Sequence, residues 1–199
     1  VLLAAAAQVF ALHGYHGASI GEIAQRAEIT KPVIYHHFGS KQELHAAVFE
    51  HYARQLLDAA GSYGHSGSLR DRFHDLVRGM FSFAHENPHV WQLLLGDSHD
   101  PETALLQQQL RAAGTRHVAE RLLAEPSFQP ETPLSRRKAA EVIAQLTRSA
   151  VDGLVSWSLE HPKTPRAALI ETAAELLWTG LARTTLVDVW PGEDKGSSG

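Results

Sequence analysis

Between Thr30 and Lys41 the chain gathers side chains that can grip a polyanion and touch a base edge: Thr30-Lys31-Pro32-Val33-Ile34-Tyr35-His36-His37, then Lys41. On a helix, Ile34 and Phe38 are four apart and share one face, which their apolar character turns inward. Lys31, Pro32, Val33, Tyr35 and His36 then point away from that face. A lysine can donate to guanine O6 and N7 or to a phosphate, and Pro32 and Val33 can lie against a thymine methyl. The hydroxyls of Ser19 and Thr30 can cap helices and also donate to phosphate.

Other chemistries fit the residues poorly. The chain has 13 histidines, but their spacing does not build a metal site. His85 and His89 are separated by Pro88, which breaks the helix that would align them. Glu86 and His89 form one E-x-x-H across the same break, where a di-iron bundle needs two such motifs and two further glutamates. His36 and His37 face different ways, and His13 and His16 straddle Gly14. Ser66 in Gly64-His-Ser-Gly misses the G-x-S-x-G spacing of a nucleophile elbow. There is no glycine-rich phosphate loop. The absence of cysteine removes disulfides and thiolate metal sites and agrees with a cytoplasmic setting. No catalytic residue, metal or cofactor is expected.

The elements that hold the Thr30–Lys41 side chains can be read from caps and apolar spacing. Ser19 and Glu22 have capping-box spacing, which predicts a helix from about Ile20 with Ile23, Ala24 and Ala27 on its apolar side. Glu28-Ile29-Thr30 is a turn. Thr30 precedes a short helix with Pro32 in its first turn, where no intrahelical N–H partner is needed. Gly39 ends that helix, and Ser40 with Glu43 opens a longer one. Helix, tight turn and short helix is the layout of a helix-turn-helix, whose second helix can enter a DNA major groove.

Phe10, Gly14-Tyr15, Ser19-Ile20, Ile23-Ala24, Ala27, Ile29, Tyr35, Phe38, Lys41 and Leu44 resemble the N-terminal DNA-binding signature of the TetR family of transcriptional regulators, with Ala18 where the family often has threonine. The resemblance implies an all-α protein with three helices for DNA and six for ligand binding and dimerisation. It implies that Tyr35, His36 and Lys41 hold backbone phosphates. Family members usually carry basic residues ahead of the position of Val1, which would add to the grip.

The remainder of the chain fits that plan. A first helix is predicted from Val1 to about His13, a fourth from Lys41 to about Ala60, and a flexible Gly/Ser connection after it. A fifth spans about Leu69 to Glu86, a short sixth about His89 to Leu95, and a seventh Pro101 to about Glu125. The eighth covers about Ser135 to Glu160 and the ninth Thr164-Pro165 to about Val189. The domains are expected at 1–45 for DNA and 46–190 for ligand and dimerisation, with a disordered tail at 191–199. No window reaches the roughly eighteen consecutive apolar residues of a membrane span, so no membrane partner is expected.

The eighth and ninth helices are apolar on more than one side, and such a helix needs two partners. Val142, Leu146, Ala150, Gly153 and Trp157, with Ala173, Leu176, Leu177, Gly180 and Thr184, serve either the core or a second subunit. The resemblance implies a homodimer through these helices, which suits a palindromic operator. Phe73, Val77, Met80, Phe81, Trp91, Leu94, Leu95 and Gln109 are candidates for a cavity that takes a small apolar or amphipathic effector, and each apolar one also suits the core. Arg116, His117 and Arg148 are further polar candidates.

Net charge is −4, and residues 1 to 45 balance Arg26, Lys31 and Lys41 against Glu22, Glu28 and Glu43. That predicts a modest salt dependence per subunit. The reading is a cytoplasmic, ligand-responsive repressor. Its alternatives are an activator of the same family, or an all-α enzyme or small-molecule carrier that does not bind DNA.

Overall fold

The computed structural model describes residues 1–62 and 68–185, with the side chains of 60–62 and 184–185 left aside. Among the described residues there are nine helices and no strand: α1 (Leu2–Gly17), α2 (Ile20–Arg26), α3 (Lys31–Phe38), α4 (Lys41–Ser62), α5 (Leu69–Glu86), α6 (Pro88–Leu95), α7 (Pro101–Ala124), α8 (Arg136–Glu160) and α9 (Arg166–Thr185). The connection at 63–67 with Ser66, the end of the predicted ninth helix and the tail at 191–199 lie outside the described residues.

Local chemistry explains most helix ends. Ser68 and Asp71 form a reciprocal capping box that opens α5. Asp100 accepts from the Thr103 N–H at 2.8 Å to start α7, with Pro101 as its first residue. Gly14 lies at φ 66°, so the regular part of α1 stops at His13 and a further turn follows the kink. The expected capping box of α2 does not form. Ser19 Oγ accepts from the Gly21 N–H at 3.1 Å, while Glu22 turns to Arg26 at 2.9 Å and His13 at 3.4 Å. A cation one turn along the same helix outcompetes the backbone N–H for that carboxylate.

One apolar core runs the length of the protein. It joins Phe10, Ile23, Ile34 and Leu44 of the first four helices to Phe73, Trp91, Val151 and Trp178 farther on. α1 packs on α4 and α6 as well as on α2, and α7 packs on α8. The boundary expected near residue 45 therefore falls inside a helix whose Leu44 and Val48 are both fully buried.

Candidate nucleic-acid interface and ligand cavity

The turn between α2 and α3 sets the direction of α3. Ile29 N–H bonds Ala24 O at 3.0 Å and Glu28 N–H bonds Gln25 O at 3.2 Å, closing α2 in a Schellman arrangement. Glu28 occupies the left-handed position of that motif at φ 55°, where glycine is usual. α3 then seats Ile34 in the core, fully buried, and leaves Lys31, Pro32, Val33, Tyr35, His36 and His37 exposed. Gly39 closes α3 at φ 67°. Ser40 caps α4 by accepting from Glu43 N–H.

Each residue expected to meet DNA has a defined place. Ser19 and Thr30 are exposed at the starts of α2 and α3, and the Thr30 side chain makes no capping bond, leaving its hydroxyl to other acceptors. The Lys31 side chain lies across Gly21, where an added Cβ would be 3.0 Å from its Cε. Lys41 is half-buried: Nζ donates to His16 O at 3.2 Å and sits 4.9 Å from the Tyr15 ring centre. Lys41 thus ties α4 to the end of α1 as well as standing close to α3.

Behind Lys41 the first helices join α7. His45 is buried against Phe10, Tyr15 and Phe49, with ring centres 4.6, 5.0 and 5.1 Å away. Its Nε2 lies 3.4 Å from Thr103 Oγ1 of α7. Burial holds His45 near pKa 4, with Lys41 adding to the depression and Asp100 opposing it. His16 pairs with Asp100 at 3.1 Å. Burial works against the Asp100 charge, but hydrogen bonds from the Thr103 hydroxyl and N–H, with His16 and His45 near, bring its carboxyl below the ordinary value.

A second feature lies in the body of the protein. A cavity of about 190 Å³ opens between α4, α5, α6, α7, α8 and α9, walled by Phe73, Met80, Leu95, Leu110, Val151 and Trp178 among others. Of the residues expected there, Phe73, Met80 and Leu95 line it. Val77, Phe81, Trp91 and Leu94 do not: they are fully buried in the core, where Trp91 Nε1 donates to Ser156 Oγ at 3.0 Å. Gln109 and Arg116 are exposed and away from the cavity, whereas His117 and Arg148 line it. The sequence reading missed Arg72, Arg111 and Asp152 on the wall. The signal for Asp152 was its i,i+4 spacing from Arg148, which places the two side chains on one face of α8.

α8 and α9 divide their apolar residues between inside and outside. Ala173 is buried in the core and Leu177 is partly buried. Val142, Leu146, Trp157 and Leu176 are exposed, Leu176 at 70%. Ala150, Gly153 and Gly180 share this outer side, and a Cβ on either glycine would meet nothing within 4 Å. The Thr184 side chain lies outside the described part. Among the described residues, no three of His, Asp or Glu gather as a metal site, and no helix is long and apolar enough to cross a membrane.

An exposed helix carrying Lys31, Tyr35 and His36, set on α2 by a tight turn, has the arrangement of a DNA-binding helix-turn-helix. Residues 2–48 match the model of the bacterial regulatory proteins of the tetR family. The HTH-type transcriptional activator FasR of Mycolicibacterium smegmatis is 27% identical over 188 residues, covering 93% of this chain and 83% of that one. The HTH-type transcriptional regulator BetI of Burkholderia thailandensis is 30% identical over 148 residues, 71% of each chain. Among solved structures, a TetR-like regulator from Rhodococcus sp. RHA1 superposes with a TM-score of 0.72 at 25% identity, over 91% of this chain and 93% of that one. FadR of Bacillus subtilis in complex with stearoyl-CoA shares the fold, with a TM-score of 0.68 at 17% identity over 90% and 97% of the two chains. The chain belongs to the TetR family: it is a DNA-binding transcription regulator, not an enzyme.

Proposed function

We propose that this regulator binds a palindromic operator as a homodimer in the cytoplasm and leaves it when an apolar or amphipathic effector fills the body cavity. The observation that carries the reading is the exposed face of α3, which offers Lys31, Pro32, Val33, Tyr35 and His36 together while Ile34 anchors the helix. Lys31, Pro32 and Val33 read base edges. Tyr35, His36, Lys41 and the hydroxyls of Ser19 and Thr30 hold phosphates and set register. The exposed apolar side of α8 and α9, around Leu146, Trp157 and Leu176, supports pairing of two subunits. The division is a DNA-binding unit over 1–45 and a ligand and dimerisation unit over 46–190.

The mostly apolar cavity supports an effector with an aliphatic portion, in keeping with the stearoyl-CoA bound to Bacillus FadR. The effector acts by population shift and needs a higher affinity for the conformation that fits DNA poorly. Repression follows where the operator overlaps a promoter. A second reading, activation, is favoured by the relationship to FasR, which is named an activator.

The experiment is anisotropy titration of labelled duplex from the DNA flanking the protein's own gene. Salt-sensitive binding is expected, and it should be lost when Lys31, Tyr35 and Lys41 are all changed to alanine. Unchanged affinity in that variant would remove α3 as the reader.

A further inference from the structure

The polar residues of the cavity are not equivalent in what they still have to offer a ligand. Arg148 on α8 is occupied: its Nε donates to Thr115 Oγ1 at 3.0 Å, and one Nη donates to Asp152 Oδ2. Arg111 on α7 is occupied too, donating to Leu95 O at 2.7 Å and Gly96 O at 3.2 Å at the end of α6. Arg72 on α5 donates one Nη to Glu125 Oε2 at 3.0 Å and keeps a buried donor, Nε, without a partner, while Asp152 is the wall residue with an acceptor to spare. Its side chain is 14% exposed, and Oδ1 is buried without a hydrogen-bond partner. An ionised carboxylate has about four acceptor sites, and leaving one oxygen unserved in an apolar setting is costly.

We propose, building on the effector reading above, that Asp152 is the unserved acceptor of the cavity and favours aliphatic molecules that carry a hydrogen-bond donor. A hydroxyl or amide N–H on the chain supplies the bond that Asp152 Oδ1 lacks. The terminal torsion of an aspartate is soft, so a small turn brings that oxygen to the cavity side while Arg148 keeps the other. Esters and ethers offer only acceptors and leave the carboxylate as it was. Burial pushes the Asp152 carboxyl up from its ordinary range, against the pull of Arg148 and Arg111, which agrees with a charge short of partners.

The test compares 1-decanol with decyl methyl ether, which differ in one O–H donor, by calorimetric titration of the full chain. Hydrogen bonds to charged groups contribute about 1.5–3 kcal/mol, so the alcohol is expected to bind roughly ten- to a hundredfold more tightly. Asp152→Asn keeps the shape but leaves Arg148 without its counter-charge and can fail to fold. The double substitution Arg148→Leu with Asp152→Leu removes both charges together, a change that is often neutral for stability. In it the two compounds should bind alike. Equal affinities in the unaltered protein, or a preference that survives the double substitution, would overturn the role of Asp152 while leaving the cavity reading intact. Binding of neither compound would overturn both.

Discussion

Lowering the pH from 7 to 5 puts a proton on the residue-45 imidazole in the unfolded chain but not in the fold. The ring is 1% exposed and walled by Phe10, Tyr15 and Phe49, and burial holds its pKa near 4 against an ordinary 6.5. The folded value lies below the unfolded one, so the unfolded state binds more protons between them and stability falls as pH drops. The contribution is fully present above about pH 6.5, declines through the window, and levels off below about pH 4. By pH 5 the loss is about 2 kcal/mol relative to pH 7, and the limit is about 3 kcal/mol. That is a sizeable part of a typical domain's stability. Urea denaturation followed by circular dichroism at pH 7, 6 and 5 measures it, with His45→Gln as the reference. Other titrating groups contribute to both proteins, so the difference between the two pH slopes isolates residue 45. The unaltered protein should lose about 2 kcal/mol more than the variant. Parallel slopes would show that the imidazole is hydrated in the fold and that the burial argument is wrong.

Other perturbations probe the remaining surfaces. Lys31→Ala should change base preference at one operator position and, if Lys31 also holds a phosphate, lower the log–log salt slope by about 0.9 per subunit; competition against a library of single-base operator variants reads both. Tyr35→Ala should weaken binding evenly across the same library, and a change of preference there would reassign Tyr35 to base reading. Leu176→Arg places a cation on a side chain that is 70% exposed within the subunit, so it should leave the fold intact and yield monomers by sedimentation; an unchanged dimer would move the interface elsewhere. Glu28→Asn should raise the melting temperature, because asparagine tolerates the left-handed φ of 55° better than glutamate, with a gain of about 0.5–1 kcal/mol. A lower melting temperature would show that Glu28 contributes something more than its backbone conformation.

The reading helix was legible because its constraints are local. Pro32 in the first turn, Gly39 at the end and the Ile34–Phe38 spacing determine which side of α3 faces outward without reference to the rest of the chain. Most helix boundaries lie within a residue or two of the expected ones for the same reason. The cavity was less legible because an apolar residue at helical spacing looks the same in sequence whether it meets a void or a neighbour. Phe73 and Phe81 lie two turns apart on α5, yet Phe73 lines the cavity and Phe81 is sealed in the core. The surroundings of α5 come from α4, α6, α8 and α9, two of them from far along the chain. Arg111 was invisible as a wall residue because its partners are backbone carbonyls, which carry no sequence signature. The Glu22 cap failed because both of its rival partners, Arg26 and His13, had to be weighed against a backbone N–H.

The helix that begins at Lys41 is 22 residues long and continues without interruption from beside α3 to the wall of the cavity. At about 1.5 Å per residue it is a rod of roughly 33 Å. Leu56 and Leu57, near its distal end, form part of the cavity wall. On the proposed function, an effector that tilted this rod would use it as a lever, turning a small rotation at one end into a larger displacement at the other. A tilt of about 5° around its distal end moves its beginning by roughly 3 Å. In a two-fold pair the two displacements add, so the separation of the reading helices changes by up to about 6 Å against a half-site spacing of roughly 34 Å. On that reading effector and operator would oppose each other without any parting of the shared core, and the amplitude of the response would be a matter of angle rather than of domain separation.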